Sequence, residues 1–353
     1  MIIAAQADLH YGKKMYRTDE NNHNKYEAAT YKAGKEFTQI IVNRKPMVVV
    51  NAGDSFETAE PSVLALTKFR EMQQSFEDNG IITLTINGNH DFKFANRKNR
   101  CSAPDLVPNT YFADYELASH QIDDVFFILM PYIYDKEENI QAYIEQVKEL
   151  AKSKTGVKKV LITHGVTDKY FKENFVDDPI RLTDDFISMF DCVIIGHIHT
   201  PFEYKQGNTL VISPGALVDY QANCDRTGPI FINTDDWTYE RVLVKSPHIV
   251  KVECDETNIN SVLESVTNDI YQIHFSGDPS VIDEALFMEA RNKTVNLIVD
   301  VAKPEDKAEA ETKAKKQFIL NPYVWIKDAH PEMAQRWDEA REEIAQNPSL
   351  AKK

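Results

Sequence analysis

The sequence predicts a mixed α/β fold, a sandwich of two β-sheets with helices on its faces. Up to Gly196, short β-branched runs such as Val48–Val50 alternate with stretches of helical spacing such as 25–44. After Gly196 the pattern changes to short apolar segments separated by turn residues, which is typical of antiparallel strands. The length of 353 residues exceeds one ordinary core and indicates a large domain plus a smaller one.

The elements of the large domain follow from the apolar runs and their spacing. Before Gly196, strands are expected at 1–7, 48–50, 81–86, 125–130, 159–163 and 192–195. Helices are expected where apolar residues recur every three or four positions, at 25–44, 61–79 and 136–153. The later short strands are expected at 201–205, 209–212, 229–233 and 238–244.

The dipeptide Ser246-Pro247 marks the predicted end of the large domain, which spans 1–245. Residues 246–302 have the pattern of a compact β-α-β-α-β unit. Its predicted elements are strand 249–254, helix 258–269, strand 271–275, helix 279–291 and strand 295–301. Residues 303–353 are expected to form a solvated linker and then a helical tail, whose apolar stripe fits either this chain or a partner.

Composition favours a globular protein in a reducing compartment. The four cysteines lie far apart and form no Cys-x-x-Cys pair, so neither a disulfide framework nor a structural zinc site is expected. The apolar start of the chain lacks the basic leader and cleavage site of a signal peptide, and no apolar run is long enough to span a bilayer. We therefore expect a cytoplasmic protein that makes no membrane contact.

Five short polar motifs follow predicted strands, which is the usual place for ligands in α/β folds. They are Asp8-Leu9-His10, Gly53-Asp54, Gly88-Asn89-His90-Asp91, His164-Gly165 and Gly196-His197-Ile198-His199. In the first and last motifs, two donors at positions i and i+2 of an extended chain point to the same side. Each motif alone is a weak or moderate signal, but all five in this order favour a single site.

The motifs supply carboxylate, amide and imidazole donors, which suit manganese, iron or zinc. The expected metal ligands are Asp8, His10, Asp54, Asn89, His164, His197 and His199. Seven donors exceed the number that one tetrahedral ion uses. They therefore indicate two divalent ions that share a bridging carboxylate, with His90 beside them.

The formal net charge of −15 argues against a nucleic-acid partner, because phosphate binding needs lysine and arginine. Two loops nevertheless carry basic residues without acids, and each directly follows a proposed metal motif. Their basic residues are Lys13, Lys14, Arg17, Lys93, Arg97, Lys98 and Arg100. These are either two solvated basic loops or a rim that tracks DNA phosphates around the site.

The five motifs resemble those of the calcineurin-like metallophosphoesterases over about residues 1–245, which implies the four-layer sandwich of that family. Within the family, the chain is most similar to the SbcD nucleases, in their compact bacteriophage form. Asp91 ends the third motif where phosphoprotein phosphatases have Glu, and residues 54–60 lack their Asp-Arg-Gly. The chain departs from the family at Ala216, where Ser is common, and at Glu57, where many members have Asp or His.

The resemblance implies a DNA exonuclease or endonuclease that uses two divalent ions, expected to be Mn²⁺. One ion would be held by Asp8, His10, Asp54 and His199, and the other by Asp54, Asn89, His164 and His197, with Asp54 bridging. His90 is expected to be catalytic, by stabilising the transition state or protonating the leaving oxygen. The alternative is that His90 only supports a ligand. Asp91 is expected to orient a neighbouring histidine.

The resemblance also implies partners. The unit 246–302 would cap DNA, and the helices at about 318–346 would dock an SbcC-type ATPase that supplies much of the DNA affinity. A homodimer is expected as well. Two other interpretations fit the motifs: a stand-alone phosphodiesterase or phosphatase acting on a small molecule, and a non-catalytic scaffold. The extra unit, the tail and the basic loops argue against the first, and the complete ligand set argues against the second.

Overall fold

The computed structural model describes six stretches of the chain, residues 1–15, 24–91, 110–133, 137–170, 180–218 and 227–301. The strands are β1 Ile2–Gln6, β2 Val48–Asn51, β3 Ile82–Ile86, β4 Thr110–Ala113, β5 Ala118–Ile122, β6 Val125–Met130, β7 Lys158–His164, β8 Val166–Thr167, β9 Arg181–Leu182, β10 Cys192–Gly196, β11 Phe202–Gln206, β12 Thr209–Ser213, β13 Ile230–Asn233, β14 Tyr239–Arg241, β15 Ile249–Asp255, β16 Ile270–Ser276 and β17 Asn296–Val301. The helices are α1 Lys25–Arg44, α2 Val63–Asp78, α3 Glu137–Ser153, α4 Asp184–Ile187, α5 Ile259–Ser265 and α6 Glu284–Lys293. The predicted tail 303–353, including the expected docking segment 318–346, lies outside the described residues.

Twelve of the described strands form two six-stranded sheets that combine parallel and antiparallel pairs. The first sheet has the order β14-β13-β1-β2-β3-β4, in which β1 to β4 run parallel and β13 and β14 complete one edge in antiparallel fashion. The second has the order β11-β12-β10-β7-β6-β5, in which the four central strands run parallel and β11 and β5 are antiparallel. Both sheets are therefore mixed, as the sequence predicts.

The core between the two sheets is apolar because alternate residues of each strand face inward. Ile3 and Val50 from the first sheet are fully buried in one cluster with Phe127, Leu129 and Ile162 from the second. The strands are β-branched and apolar on both faces because the opposite face of each sheet is buried as well.

Helices cover that opposite face of each sheet. Val49 and Phe231 of the first sheet pack in one cluster with residues of α1 and α2. Ile128, Leu161 and Val193 of the second sheet pack with residues of α3 and α4. The layers are thus helices, sheet, sheet and helices, and the predicted four-layer sandwich is confirmed.

Helix α1 shows why the predicted helices form where they do. Its buried residues include Phe37 and Ile41, at the spacing of one helical face. Asn24 caps the start by accepting the N–H of Glu27 at 3.0 Å, and the helix ends at Lys45 with a left-handed φ of 48°. The observed bounds equal the predicted range 25–44.

The strands between Gly196 and the predicted boundary at 245 differ from the expected antiparallel sheet. Strands β11 and β12 extend the second sheet, where β12 pairs parallel with β10 and antiparallel with β11. Strands β13 and β14 instead complete the first sheet beside β1. The local alternation is the same in both arrangements, so the sequence could not show that the chain crosses from one sheet to the other.

Strands β15, β16 and β17 form a separate parallel sheet whose core is shared with α5 and α6. Leu263, Ile273 and Phe275 are buried in that core. The order of elements follows the predicted β-α-β-α-β pattern, with three strands and two helices between them.

Both helices of this unit are shorter than predicted. Helix α5 ends at Ser265 because Val266 is extended, and Thr267 then hydrogen-bonds the carboxylate of Asp269 at 2.5 Å. The predicted helix 279–291 begins as a 3-10 turn at Pro279–Val281, and α6 starts after Asp283, which caps it.

Within the described residues, every helix is too short or too polar to cross a lipid bilayer.

Arg241 links the two large sheets, since it belongs to β14 of the first and pairs with Glu203 in β11 of the second. Its guanidinium reaches a Glu203 carboxylate oxygen at 2.6 and 3.0 Å and donates to the carbonyls of Pro214 and Gly228 at 2.7 and 3.1 Å. The two side chains are 7% and 4% exposed. A neighbouring pair, Arg44 and Glu240, is 43% and 59% exposed.

We predict that Arg241→Met lowers the free energy of unfolding by about 3–5 kcal/mol, because it leaves the carboxylate of Glu203 buried without its cation. The matched change Arg44→Met, which breaks the exposed pair, should cost less than about 1 kcal/mol. Urea unfolding followed by circular dichroism measures both. Similar losses in the two variants would show that the buried link contributes nothing beyond a surface ion pair.

Candidate metal centre

The five motifs meet at one end of the sandwich, where the parallel strands of both sheets end. Asp8, Asp54 and Asn89 follow β1, β2 and β3 of the first sheet, while His164 ends β7 and His197 follows β10 in the second. Since the central strands of each sheet are parallel, their carboxyl ends lie at one edge. The strand-end argument from the sequence therefore places these motifs together.

Glycines allow the loops of the two sheets to approach each other closely. A Cβ on Gly88 would lie 2.2 Å from a carboxylate oxygen of Asp54, and one on Gly196 would lie 2.1 Å from the carbonyl oxygen of Ala52. A Cβ on Gly53 would lie 2.5 Å from Nδ1 of His164. These three glycines are thus required because the neighbouring loop leaves no space for a Cβ.

Left-handed backbone conformations concentrate in this site. Asp8, His10, Asp54 and His197 have φ values of 51°, 46°, 51° and 89°. Such values are uncommon for residues other than glycine and cost free energy, so the surrounding structure must hold them. They turn the side chains away from the strand direction and toward a common point.

The first donor cluster consists of Asp8, His10, Asp54 and His199, whose ligand atoms all lie within 4.8 Å of one another. Nε2 of His10 is 3.0 Å from Nε2 of His199 and 3.6 Å from Oδ2 of Asp54. Oδ1 of Asp8 is 3.9 Å from Nε2 of His199. Nitrogen and oxygen atoms therefore converge from four directions on one small volume.

The second donor cluster is centred on Asn89. Its Oδ1 lies 2.9 Å from Nε2 of His164 and 2.9 Å from Nδ1 of His197. Nε2 of His164 is also 3.4 Å from Oδ2 of Asp54. Nδ1 of His164 donates to the carbonyl oxygen of Ala52 at 2.8 Å, which leaves Nε2 as the nitrogen that faces the cluster.

One oxygen atom belongs to both clusters. Oδ2 of Asp54 lies 3.6 Å from the ring nitrogen of His10 and 3.4 Å from that of His164. Oδ1 of the same carboxylate accepts the backbone N–H of His90 at 2.9 Å, so the carboxylate cannot rotate freely. Asp54 is therefore placed to be shared between two ions.

The donor set fits divalent cations. Donors on a shell of about 2.1 Å radius lie about 3 Å apart when they are neighbours, and the nitrogen and oxygen pairs here are 2.9 to 3.9 Å apart. Buried imidazole nitrogens and carboxylates that face one another need a cation or protons between them. The coarse expectation of a divalent metal centre built from Asp and His residues is consistent with this geometry.

Burial and mutual charge shift the pKa values of the donors. Burial raises the pKa of Asp8. Burial opposes ionisation of Asp54 too, but the charges of His164, His10 and His90 and a hydrogen bond with His164 together lower the pKa of Asp54. Burial lowers the pKa of His164, yet the carboxylates of Asp54 and Asp8 raise it to about 10. Burial and the charge of His10 lower the pKa of His199. A cation held by these donors would take the place of a proton on His164, so metal binding would release protons.

His90 lies beside the first cluster without joining it. Its ring meets the ring of His10 edge-on, with centroids 4.9 Å apart. Its Nδ1 donates to the carbonyl oxygen of Glu57 at 3.0 Å, which leaves Nε2 as the lone-pair nitrogen of a neutral ring. His90 is thus oriented by the loop after the second motif.

Asp91 has contacts that the sequence did not predict. Its buried carboxylate accepts the backbone N–H groups of Gly88, Phe56 and Ser55 at 2.9, 3.0 and 3.3 Å. Burial and the charge of Asp54 raise its pKa to about 7, against the opposing effect of the amide hydrogen bonds. Its described hydrogen bonds join two motif loops and reach no histidine ring, whereas we expected it to orient one.

Two further residues beside the donors, Glu57 and Tyr132, were not predicted from the sequence. Glu57 was noted only as a departure from the family, but its carboxylate lies 2.9 Å from Nδ1 of His10 and 3.1 Å from Nζ of Lys13. Tyr132 stacks on His197 with centroids 6.2 Å apart and an angle of 22° between the rings. Tyr132 follows the end of β6, so the strand-end rule that found the five motifs could also have found it.

The two basic loops are described only in part. Nζ of Lys13 lies beside the carboxylate of Glu57, and its side chain is 19% exposed. The side chain of Lys14 is 63% exposed and lies 4.0 Å from the carboxylate of Glu27. The other predicted rim residues lie outside the described part of the chain, namely Arg17, Lys93, Arg97, Lys98 and Arg100.

We predict that Asp91→Ala lowers the free energy of unfolding by roughly 2–4 kcal/mol, because it strips three buried backbone N–H groups of their acceptor. Asp236 is the matched control. Its exposed carboxylate accepts both the N–H and the hydroxyl of Thr238, so water can replace it. Asp236→Ala should cost less than about 1 kcal/mol. Chemical unfolding in metal-free buffer measures both losses, and equal values would contradict the assigned role of Asp91.

Comparison with known proteins gives the family. Residues 1–233 match the calcineurin-like phosphoesterase superfamily domain. The chain is 25% identical over 236 residues to the DNA double-strand break repair protein Mre11 of Methanococcus maripaludis, which covers 63% of this chain and 61% of that protein. It is 24% identical over 202 residues to the protein of the same name from Methanocaldococcus jannaschii, which covers 56% of this chain and 51% of that protein.

The chain thus spans between 51% and 61% of the length of these relatives. A solved structure of a dimetal phosphatase from Danio rerio is 10% identical, with a TM-score of 0.46, over 65% of this chain and 91% of that one. Since the family match covers more than half of the 353 residues, the chain belongs to the calcineurin-like phosphoesterase superfamily, a family of phosphoester hydrolases.

Proposed function

We propose that this chain is an SbcD-like, two-metal DNA nuclease that hydrolyses phosphodiester bonds at DNA ends. The observation that carries the proposal is the position of Asp54. Its Oδ2 lies 3.6 Å from Nε2 of His10 in the first donor cluster and 3.4 Å from Nε2 of His164 in the second. The similarity to two DNA double-strand break repair proteins supports DNA as the substrate.

The two clusters would hold the two ions with Asp54 between them. Asp8, His10, Asp54 and His199 would bind one ion, and Asp54, Asn89, His164 and His197 the other. Two divalent ions bound there, proposed to be Mn²⁺, supply Lewis-acid charge at phosphoryl oxygens and an activated water. The left-handed backbone at four of these residues keeps the donors pointed at the ions before binding.

His90 is proposed to act on the substrate itself. Its Nδ1 proton is held by the carbonyl of Glu57, so the other ring nitrogen is the one that can face a scissile phosphate. That nitrogen can carry a proton to the leaving sugar oxygen or, when protonated, offset developing negative charge. Asp91 would act at a distance, by holding the loops that carry Asp54 and His90.

DNA would be guided by the basic loops. Lys13 is engaged by Glu57, so we assign the phosphate contacts to Lys14 and to the basic residues outside the described part of the chain, which are Arg17, Lys93, Arg97, Lys98 and Arg100. The net charge of −15 makes a partner necessary for tight DNA binding. We therefore propose an SbcC-type ATPase bound through residues 318–346, and a homodimer of this chain.

The proposed arrangement assigns residues 1–245 to the nuclease domain, 246–302 to a DNA-capping domain and 303–353 to the linker and docking tail. The three-stranded sheet has its own buried core, which supports a capping domain, while Ile249, Ile270 and Val295 pack in the helical cluster of the first sheet and join it to the nuclease domain in one compact unit.

We predict that the purified chain cleaves linear DNA in the presence of Mn²⁺, and that His90→Ala retains bound metal but loses at least about 100-fold in turnover. Gel assays on single- and double-stranded substrates measure turnover, and elemental analysis measures metal content. Full activity in a metal-loaded His90→Ala protein would remove His90 from the mechanism. Hydrolysis of a small phosphodiester with none of DNA, even with an ATPase partner present, would favour the small-molecule enzyme instead.

We predict that Asp54→Ala loses both ions, because its carboxylate belongs to both clusters. Asp8→Ala is the matched control, since the carboxylate of Asp8 belongs to the first cluster and meets the second only through the backbone N–H of His197, so its loss should cost one ion. Inductively coupled plasma mass spectrometry of protein dialysed against Mn²⁺ gives the ratio of metal to chain. Two bound ions in Asp54→Ala would exclude the bridging role.

A further inference from the structure

Glu57 contacts two histidines, His10 in the first donor cluster and His90 beside it. Its Oε2 is 2.9 Å from Nδ1 of His10, and its carbonyl oxygen accepts Nδ1–H of His90 at 3.0 Å. The side chain of His10 is fully buried and that of Glu57 is 25% exposed. One residue therefore contacts two functional rings through two different groups.

The position of Glu57 is fixed independently of these rings. Its backbone N–H donates to the carbonyl of Tyr11 at 3.2 Å, next to the bridge between Tyr11 and Phe56 that joins the first and second motif loops. Its second carboxylate oxygen is held by Nζ of Lys13 at 3.1 Å. Main chain and carboxylate are therefore both held beside His10.

A carboxylate in this place selects the tautomer of His10. Oε2 of Glu57 lies 2.9 Å from Nδ1 of His10 without hydrogen-bond alignment, and its negative charge favours a proton on Nδ1, so the other nitrogen presents its lone pair. That other nitrogen, Nε2, points at the carboxylate of Asp54 and the ring of His199. Without Glu57, a neutral His10 would be free to place its proton on Nε2, where it would block metal binding.

We infer that Glu57 is a positioning residue: its carboxylate fixes the metal-binding tautomer of His10 and its carbonyl fixes the orientation of His90. The inference deepens the proposed function, because it rests on His10 as a metal ligand. It also accounts for Lys13, whose Nζ restrains the carboxylate beside His10.

The tautomer can be measured without metal. In protein labelled with ¹⁵N-histidine at about pH 8.5, where an ordinary imidazole is neutral, long-range ¹H–¹⁵N spectra should show His10 protonated on Nδ1. In Glu57→Ala the proton should shift toward Nε2. The ring of His164, which is held by the carbonyl of Ala52, should give the same signals in both proteins and serves as the internal control.

Metal affinity gives the second measurement. Equilibrium dialysis against Mn²⁺ should show one of the two sites weakened about 10- to 100-fold in Glu57→Ala, as is usual when the partner of a ligating histidine is lost. Glu57→Gln should lose less than about 10-fold, because the partial negative charge of its amide oxygen still favours a proton on Nδ1. Glu60→Gln, the same change on an exposed carboxylate three residues away, should bind both ions normally. The thermal midpoint of all metal-free variants should match that of the parent.

Two outcomes would overturn the inference. Glu57→Ala with unchanged His10 tautomer and unchanged affinity would show that Glu57 has no effect on the ligand. Complete loss of one ion with an unchanged tautomer would make Glu57 a metal ligand instead. Neither measurement uses DNA. Failure of the chain to cleave DNA would count against the proposed function, whereas the role of Glu57 would be decided by the His10 tautomer and the Mn²⁺ affinity.

Discussion

The donor site depends on a close main-chain contact between the two sheets at Ala52, Gly53 and Asp54. The loop after β2 lies so near the ends of β3 and β10 that Gly88 and Gly196 have no room for a Cβ. The hydrogen bond from His164 to the carbonyl of Ala52 crosses from the second sheet to the first, and it orients the ring that faces Asp54. Loss of this contact would separate the two donor clusters, because each sheet contributes donors that the other lacks.

The same contact explains why so much backbone strain occurs in one place. A left-handed conformation costs roughly 1–2 kcal/mol for a residue with a side chain, and Asp8, His10, Asp54 and His197 all adopt it. The apolar layer between the sheets offsets this cost, since residues such as Phe127 and Val50 are completely buried there. Stability is thus concentrated in the strands, and the strained geometry is confined to the loops at their ends. The donors are arranged by folding and need little rearrangement when they bind an ion.

The sequence was sufficient for those parts of the structure that depend on local pattern. Helix 25–44 and the strand-end motifs were predictable because periodicity and strand ends are local properties. The paths of β11 to β14 were not, because alternation does not record which sheet a strand joins. The contacts of Glu57 and Asp91 were missed for a related reason. Glu57 meets a histidine 47 positions earlier in the chain, and Asp91 accepts N–H groups 35 and 36 positions before it. Only the folded chain brings such residues together.

The net negative charge of the protein bears on how the site could bind a phosphodiester, which is also negatively charged. Two unit negative charges 4 Å apart repel by about 4 kcal/mol near a protein surface, so a phosphodiester would be repelled by the carboxylates of Asp8 and Asp54 alone. Two divalent ions carry twice the charge of those carboxylates, and the site becomes attractive. The remaining carboxylate at the entrance, Glu57, is already paired with Lys13 and His10. Screening limits the effect of distant acids to about 8–10 Å, so the net charge of −15 weakens long-range attraction without reversing the local field. In the proposed function, bound divalent ions would therefore make the site receptive to phosphate.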